Sequence, residues 1–240
     1  MKALILAAGL GTRLRPLTNS IPKALILIAE KPLLQYHLEL LGRAGINEII
    51  INTHYLSNKI NQFVDEYRGT HRNLKITTSF EPNLLGTAGA LRANEDFFST
   101  DENFIVVCGD NFTNINYSPF ITFHNNHHGV ATIGCYFEPH PESKGIIVFD
   151  SNKKIEQFKE KPAIENIVSN WASGGIYMFN RNIFNYLNQL AKLPLDFAYD
   201  VFPALINAKE KMYAYEIPEI LLDVGTPETY LLAQNLAQKI

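Results

Sequence analysis

The chain has 240 residues, 46% of them apolar and 19% charged, and its 21 basic and 24 acidic side chains give a formal charge of −3. Such a length can bury a sizeable core, and the composition is ordinary for a soluble globular protein. No basic surplus points to nucleic acid and no acidic run points to a disordered tail, so any phosphate-bearing ligand must be held by a local arrangement. No stretch approaches the ~20 apolar residues of a membrane span. The apolar run in MKALILAAGLGTRLRP is too brief for a signal peptide, and arginines follow where small cleavage-site residues belong. The two cysteines, Cys108 and Cys135, sit in apolar, β-branched settings that suit buried free thiols and a reducing cytoplasm.

In chain order, residues 2–7 read as a short apolar strand that ends in a glycine loop, and residues 33–44 place Leu34, Leu38 and Leu41 on one helical face. Residues 48–52 form a continuous apolar strand pattern. Residues 57–68 make an amphipathic helix with Ile60, Phe63, Val64 and Tyr67 inward, and residues 74–79 alternate as a strand. A helix starts near Thr87, and residues 104–108 (FIVVC) form another buried strand. This alternation predicts a parallel sheet covered by helices on both faces. His124, His127 and His128 share a helical spacing and read as part of a polar surface helix, without the acidic or cysteine partners of a metal site.

The second half is richer in strands, at 130–137, 144–150, 153–159 and 172–180. Helices at 181–191 and 199–208 and a strand at 211–217 follow. A last helix begins at Thr226-Pro227-Glu228, where threonine can cap and proline can occupy the first turn. With no internal repeat or low-complexity linker, residues 1–240 read as one compact domain. The expected fold is α/β: a Rossmann-like, mostly parallel mixed sheet flanked by helices, with added antiparallel strands forming a lid at the sheet edge where open α/β folds bind ligands.

Two segments carry chemistry on their own residues. In LAAGLGTRLRPLT (6–18), Gly9 and Gly11 allow backbone N–H groups to approach an anion, Thr12 adds a hydroxyl, and Arg13 adds a fork-shaped cation. The segment lacks the Gly-Lys-Ser/Thr of a Walker A loop and the third glycine of the dinucleotide fingerprint. Two glycines alone also fit a plain strand-to-helix turn. Lys23 follows closely, its approach fixed by Pro22, as a second phosphate ligand.

These residues, with Lys31-Pro32-Leu33 behind them, resemble the signature of the sugar-phosphate nucleotidylyltransferases, and the resemblance recurs in order along almost the whole chain. EPNLLGTAGA (81–90) resembles the family's base-binding loop, VCGDN (107–111) its metal-binding Gly-Asp, and KGIIVFD (144–150) a strand whose glycine lies against the sugar. Glu160-Lys161-Pro162 matches the motif that holds the sugar and its phosphate, SGGIYMF (173–179) resembles a second sugar-lining strand, and Asp223-Val224-Gly225-Thr226-Pro227-Glu228 resembles the segment with a second metal-binding aspartate.

The resemblance implies a reaction between a nucleoside triphosphate and a sugar 1-phosphate, with Arg13, Lys23 and Asp110 in catalytic roles, on a single catalytic domain with a nucleotide-binding half at 1–115 and a sugar-binding half at 116–240. It places the nucleotide against Ala8, Gly9, Gly11, Thr12, Glu81, Gly86 and Gly89, and the sugar phosphate against Gly145, Glu160, Lys161 and Gly175. It also implies Mg²⁺ on Asp110 and Asp223, a pairing that rests on the resemblance because sequence separation says nothing about distance.

Glu81, acceptor-only when ionised, suits the two adjacent donors of guanine, and LGTAG looks like guanylyltransferases for mannose or heptose 1-phosphate; GTP is therefore the expected nucleotide. Uridylyl or thymidylyl transfer, and a phosphocholine cytidylyltransferase-like reaction, stand as alternatives, as does a non-catalytic nucleotide-sugar sensor, whose mark would have been loss of Arg13, Lys23 or Asp110. Trp171 fits either a ligand-stacking or a core position. The hexapeptide repeats of a left-handed β-helix are absent, so one activity is expected, in the cytoplasm, without nucleic-acid or membrane partners; a homo-oligomer is compatible with the sequence but not read from it.

Overall fold

The computed structural model describes residues 1–239. In chain order the first elements are β1 (Lys2–Leu6), β2 (Leu27–Ile28), β3 (Lys31–Pro32), α1 (Leu33–Arg43), β4 (Glu48–Thr53), α2 (Ser57–Thr70), β5 (Lys75–Phe80) and α3 (Thr87–Ala93). Then come β6 (Asn103–Cys108), β7 (Asn111–Thr113), α4 (Tyr117–His127), β8 (Ala131–Phe137), β9 (Gly145–Phe149), β10 (Ile155–Glu160) and β11 (Trp171–Asn180). The chain continues through α5 (Ile183–Leu187), α6 (Phe202–Asn207), β12 (Met212–Glu216), β13 (Leu221–Asp223) and α7 (Pro227–Ala237). The fold is mixed α/β, with parallel strands, flanking helices and added antiparallel strands.

The chain forms two units that interleave along the sequence. The first takes Met1–Leu84, Val107–Tyr117 and the chain from Glu219 onward; the second takes Leu85–Val106 and Ser118–Pro218. In the first unit β1, β4 and β5 pair in parallel in that order, with Leu6 opposite Asn52 and Asn52 opposite Ser79. Leu4, Ile5, Ile49 and Ile51 are fully buried, which is why β1 and β4 read as unbroken apolar runs. β7 and β13 pair antiparallel, bringing Asp223 opposite Asn111. A cluster of Leu14, Ile26, Ile28, Leu33, Phe112, Val224 and Ala233 packs beside them. Thr226 caps α7 in a reciprocal capping box with Thr229, and Pro227 occupies the first turn, as the sequence predicts.

In the second unit β8 pairs antiparallel with β11 and parallel with β12, and β9 and β10 form a hairpin. The β8–β11 register shifts between Ser173 and Ile176, and Gly175 takes a φ of 64° there; the Gly-Gly pair forms a β-bulge. Its core is aromatic. Phe98 lies 4.3 Å from Phe104, Phe179 lies 5.0 Å from Phe197, and Phe158 lies 5.0 Å from Phe202 between ring centroids.

Four expectations are corrected. The helix over 181–191 is only α5, five residues long. The helix over 199–208 is a π-helical turn, Phe197–Val201, followed by α6; Pro203 in the first turn of α6 has no N–H to continue the preceding ladder. His124 does not lie on a polar surface: it is 1% exposed, with Nδ1 2.8 Å from Thr132 Oγ1 and Nε2 3.3 Å from Asn103 Oδ1. Cys108 is half-buried rather than buried, while burial pushes the Cys135 thiol up to about 12. No helix among the described residues is long and apolar enough to cross a membrane.

Candidate active site

The first unit gathers most of the expected site residues. β1 ends at Leu6, and the chain leaves it through buried Ala7 and Ala8 into exposed Gly9 and Leu10. Gly11 takes a φ of 62°, and its carbonyl accepts from Thr18 Oγ1 (2.7 Å) and Leu14 N (3.0 Å). A Cβ at Gly11 would stand 3.0 Å from Thr18 Cγ2, so glycine is required both for conformation and for space. Thr12 and Arg13 are exposed at the start of the short 3-10 turn Thr12–Leu14, whose Leu14 is buried.

Lys23 opens a further 3-10 turn, Lys23–Leu25, after Pro22. It is only 8% exposed, and its ammonium is charge-paired: Nζ lies 2.6 Å from Asp110 Oδ2 and 3.5 Å from Asp223 Oδ1. The two aspartates arrive from separate strand ends. Asp110 follows β6 and Gly109, where a Cβ would stand 2.9 Å from the Leu6 carbonyl that Gly109 N–H donates to. Asp223 ends β13, and Val224 N donates to Asp110 O at 3.1 Å. The aspartate side chains are 41% and 32% exposed. Two partly exposed carboxylates thus meet at the Lys23 ammonium, and their oxygens are of the type that could hold a hard divalent cation.

Two residues here were missed by sequence reasoning. A Cβ on Gly225 would stand 2.9 Å from Arg13 Nη2 and 3.1 Å from Asp223 Oδ1, so the bare glycine gives the guanidinium and the carboxylate their space. Its signal was present, as the glycine two positions after Asp223. His37, on α1, is fully buried; burial holds its imidazole down to about 4, opposed by the charge of Asp110. A lone histidine in an amphipathic helix carries no such signal.

Glu81 directly follows β5 and is 3% exposed. Its Oε1 accepts from Asn52 Nδ2 at 2.7 Å, its N–H donates to Thr53 O at 2.8 Å, and its carbonyl lies 2.7 Å from His54 Nδ1.

The remaining expected residues lie in the second unit. Gly86 takes a φ of 81°, and a Cβ there would stand 2.3 Å from Leu195 O. The Ala88 and Gly89 N–H groups both donate to that same carbonyl at 3.0 Å, and Thr87 Oγ1 donates to Asp196 Oδ2 at 2.8 Å. The glycines of LGTAG thus bring the start of α3 onto the Leu195–Asp196 backbone. Gly145 and Glu160 face each other across the β9–β10 hairpin, and a Cβ at 145 would stand 2.5 Å from Glu160 Oε2. Desolvation raises the Glu160 pKa; Lys161 opposes the rise and Asp196 adds to it. Lys161 takes a φ of 44°, its side chain is exposed, and its Nζ lies 3.6 Å from Glu160 Oε1. Trp171 packs edge-on against Phe137 (6.0 Å) and lies 5.7 Å from Phe149, in a surface aromatic cluster.

The family model of the nucleotidyl transferases matches residues 2–239. A UTP–glucose-1-phosphate uridylyltransferase of Synechocystis is 34% identical, over 96% of this chain and 61% of its own length. The catalytic subunit beta of mannose-1-phosphate guanylyltransferase from Dictyostelium discoideum is 33% identical, over 98% of this chain and 64% of its own. The chain thus spans under two thirds of the length of these curated relatives. A solved Bacillus anthracis structure, provisionally described as a glucose-1-phosphate thymidylyltransferase in complex with sucrose, superposes with a TM-score of 0.90 at 25% identity, over 100% of this chain and 96% of that one. On the full-length match and this order of site residues, the chain belongs to the nucleotidyl transferase family.

Proposed function

We propose that this protein is a sugar-1-phosphate nucleotidylyltransferase that forms an NDP-sugar and pyrophosphate, with GTP and mannose 1-phosphate or a heptose 1-phosphate as its substrates. The observation that carries the reading is Lys23 between Asp110 and Asp223, with Arg13 beside Asp223 over Gly225. Such a cluster suits a site that must neutralise a triphosphate and a sugar phosphate brought together.

A phosphate oxygen of the sugar 1-phosphate attacks the α-phosphorus of the nucleotide. The new P–O bond forms as the bond to the β-phosphate breaks, and the electron pair leaves with pyrophosphate. No protein nucleophile or general base is required, because the sugar phosphate is already ionised; the work is positioning and electrostatics. Arg13 and the N–H groups of the Ala8–Thr12 loop take the leaving charge, and Lys23 holds the phosphates. Asp110 and Asp223 would hold Mg²⁺, which supplies charge neutralisation on phosphate oxygens.

Glu81 accepts the ring N–H and amino group of guanine. Gly86 and Gly89 shape the loop that follows. Gly145 and Gly175 leave room for the sugar, Glu160 accepts from its hydroxyls, and the exposed ammonium of Lys161 takes its phosphate. A cytoplasmic location suits such substrates. Uridylyl transfer is the second reading, favoured by the Synechocystis relative, which is as similar as the guanylyltransferase. Asp110→Asn tests the cation role: turnover should fall by about 10²-fold or more with the melting temperature unchanged. Near-normal turnover would remove Asp110 from the mechanism.

A further inference from the structure

Asn52 lies in β4, the middle of the three parallel strands β1, β4 and β5. It is 3% exposed and bridges two functional segments. Its Oδ1 accepts from Ala7 N at 2.7 Å, at the start of the phosphate loop, and its Nδ2 donates to Glu81 Oε1 at 2.7 Å, at the start of the base loop. The amide has one orientation available. Only its oxygen can accept from Ala7 N–H, so its NH₂ must turn to Glu81. A donor bonded to a carboxylate out of water is among the stronger hydrogen bonds. The Glu81 backbone is pinned separately, through Thr53 O and His54 Nδ1, while the bond from Asn52 falls on the carboxylate itself.

We propose that Asn52 is a positioning residue for base selection: it aims the Glu81 carboxylate and ties that aim to the first residue of the phosphate loop. The inference rests on the reading of Glu81 as the base acceptor. Asn52→Asp is the informative change. It keeps the acceptor for Ala7 N–H but turns an oxygen toward Glu81, replacing attraction by repulsion. Asn52→Ala, which removes the amide's donor and acceptor together without adding charge, is the second variant should the first not fold.

The test measures equilibrium binding of GTP, UTP, dTTP and CTP to the full chain, with steady-state turnover beside it. Asn52→Asp should weaken the preferred nucleotide by about 10- to 100-fold, the range of a lost hydrogen bond to a charged group, and weaken the others much less. KM for that nucleotide should rise, while kcat and the KM for sugar 1-phosphate stay near wild type. Glu81→Gln should give the same loss of preference, and the double variant should be no worse than either single one. Equal weakening of all four nucleotides, a loss confined to kcat, or additive single effects would overturn the inference and leave Asn52 a structural residue. The wild-type arm reports separately on the proposed function: a preference for another base removes the guanine reading, while the effect of Asn52→Asp on that base still decides the role of Asn52.

Discussion

Gly225→Ala separates the function of the site from the stability of the fold. A Cβ at 225 would stand 2.9 Å from Arg13 Nη2 and 3.2 Å from its Cζ, and 3.1 Å from Asp223 Oδ1. Ordinary contact begins near 3.4 Å, so the guanidinium must retreat by roughly half an ångström and the carboxylate by somewhat less. The Arg13 side chain is exposed and long, and it can retreat without disturbing the core. The backbone at 225 is not left-handed, so alanine fits it and reduces the freedom of the unfolded chain, which favours folding by about 0.4–1 kcal/mol. Stability should therefore stay within about 1 kcal/mol of wild type.

Catalysis should not. A 1 Å misplacement costs about 10²-fold, so half that displacement of Arg13 should lower kcat by about tenfold. The assay is pyrophosphate release under saturating substrates, paired with a thermal melt. Unchanged kcat would refute the placement of Arg13 at the reacting phosphates. A large drop in melting temperature would show that Gly225 is there for packing instead.

Gly86→Ala should behave in the opposite way. Its Cβ meets fixed backbone at 2.3 Å and its φ is 81°, so the fold should lose about 2–3 kcal/mol in a denaturant titration. Acid should destabilise the protein through its buried histidines. His37 and His124 are held down to about 4 from 6.5 by burial. Between those values the unfolded chain binds protons that the folded protein refuses, so stability is full above pH 6.5 and falls toward pH 4. At pH 5 each histidine should cost about 2 kcal/mol, and His124→Gln should remove its share. Glu160, raised by desolvation, protonates at higher pH than an ordinary glutamate. If its carboxylate accepts from the sugar, KM for the sugar phosphate should rise as pH falls, and Glu160→Gln should flatten that dependence with a uniformly raised KM.

The strands β1 and β4 were legible because burial on both faces demands unbroken apolar runs, and α7 because Thr226 and Pro227 mark its start. β7 and β13 were not. Three residues are too few to show a period, yet their pairing sets Asp223 opposite Asn111 and so brings the second aspartate to the first. The return of the chain from Glu219 into the first unit has no local pattern either. Charged site residues were readable as motifs. The buried groups beside them were not: Asn52 meets Ala7 and Glu81 through hydrogen bonds across strands, and His37 is a fully buried imidazole on α1, and neither leaves a spacing in the sequence. His124 reads as surface because it sits among asparagines and histidines, but its position on α4 takes it to Thr132 and Asn103.

The measurement closest to the central claim is a matrix of GTP, UTP, dTTP and CTP against mannose, glucose and heptose 1-phosphates with Mg²⁺, read by pyrophosphate release and by the nucleotide-sugar formed. Release should depend on both substrates, run highest with GTP and mannose or heptose 1-phosphate, and fall by about 10²-fold or more in Asp110→Asn. A folded protein that releases no pyrophosphate with any pair would contradict the account.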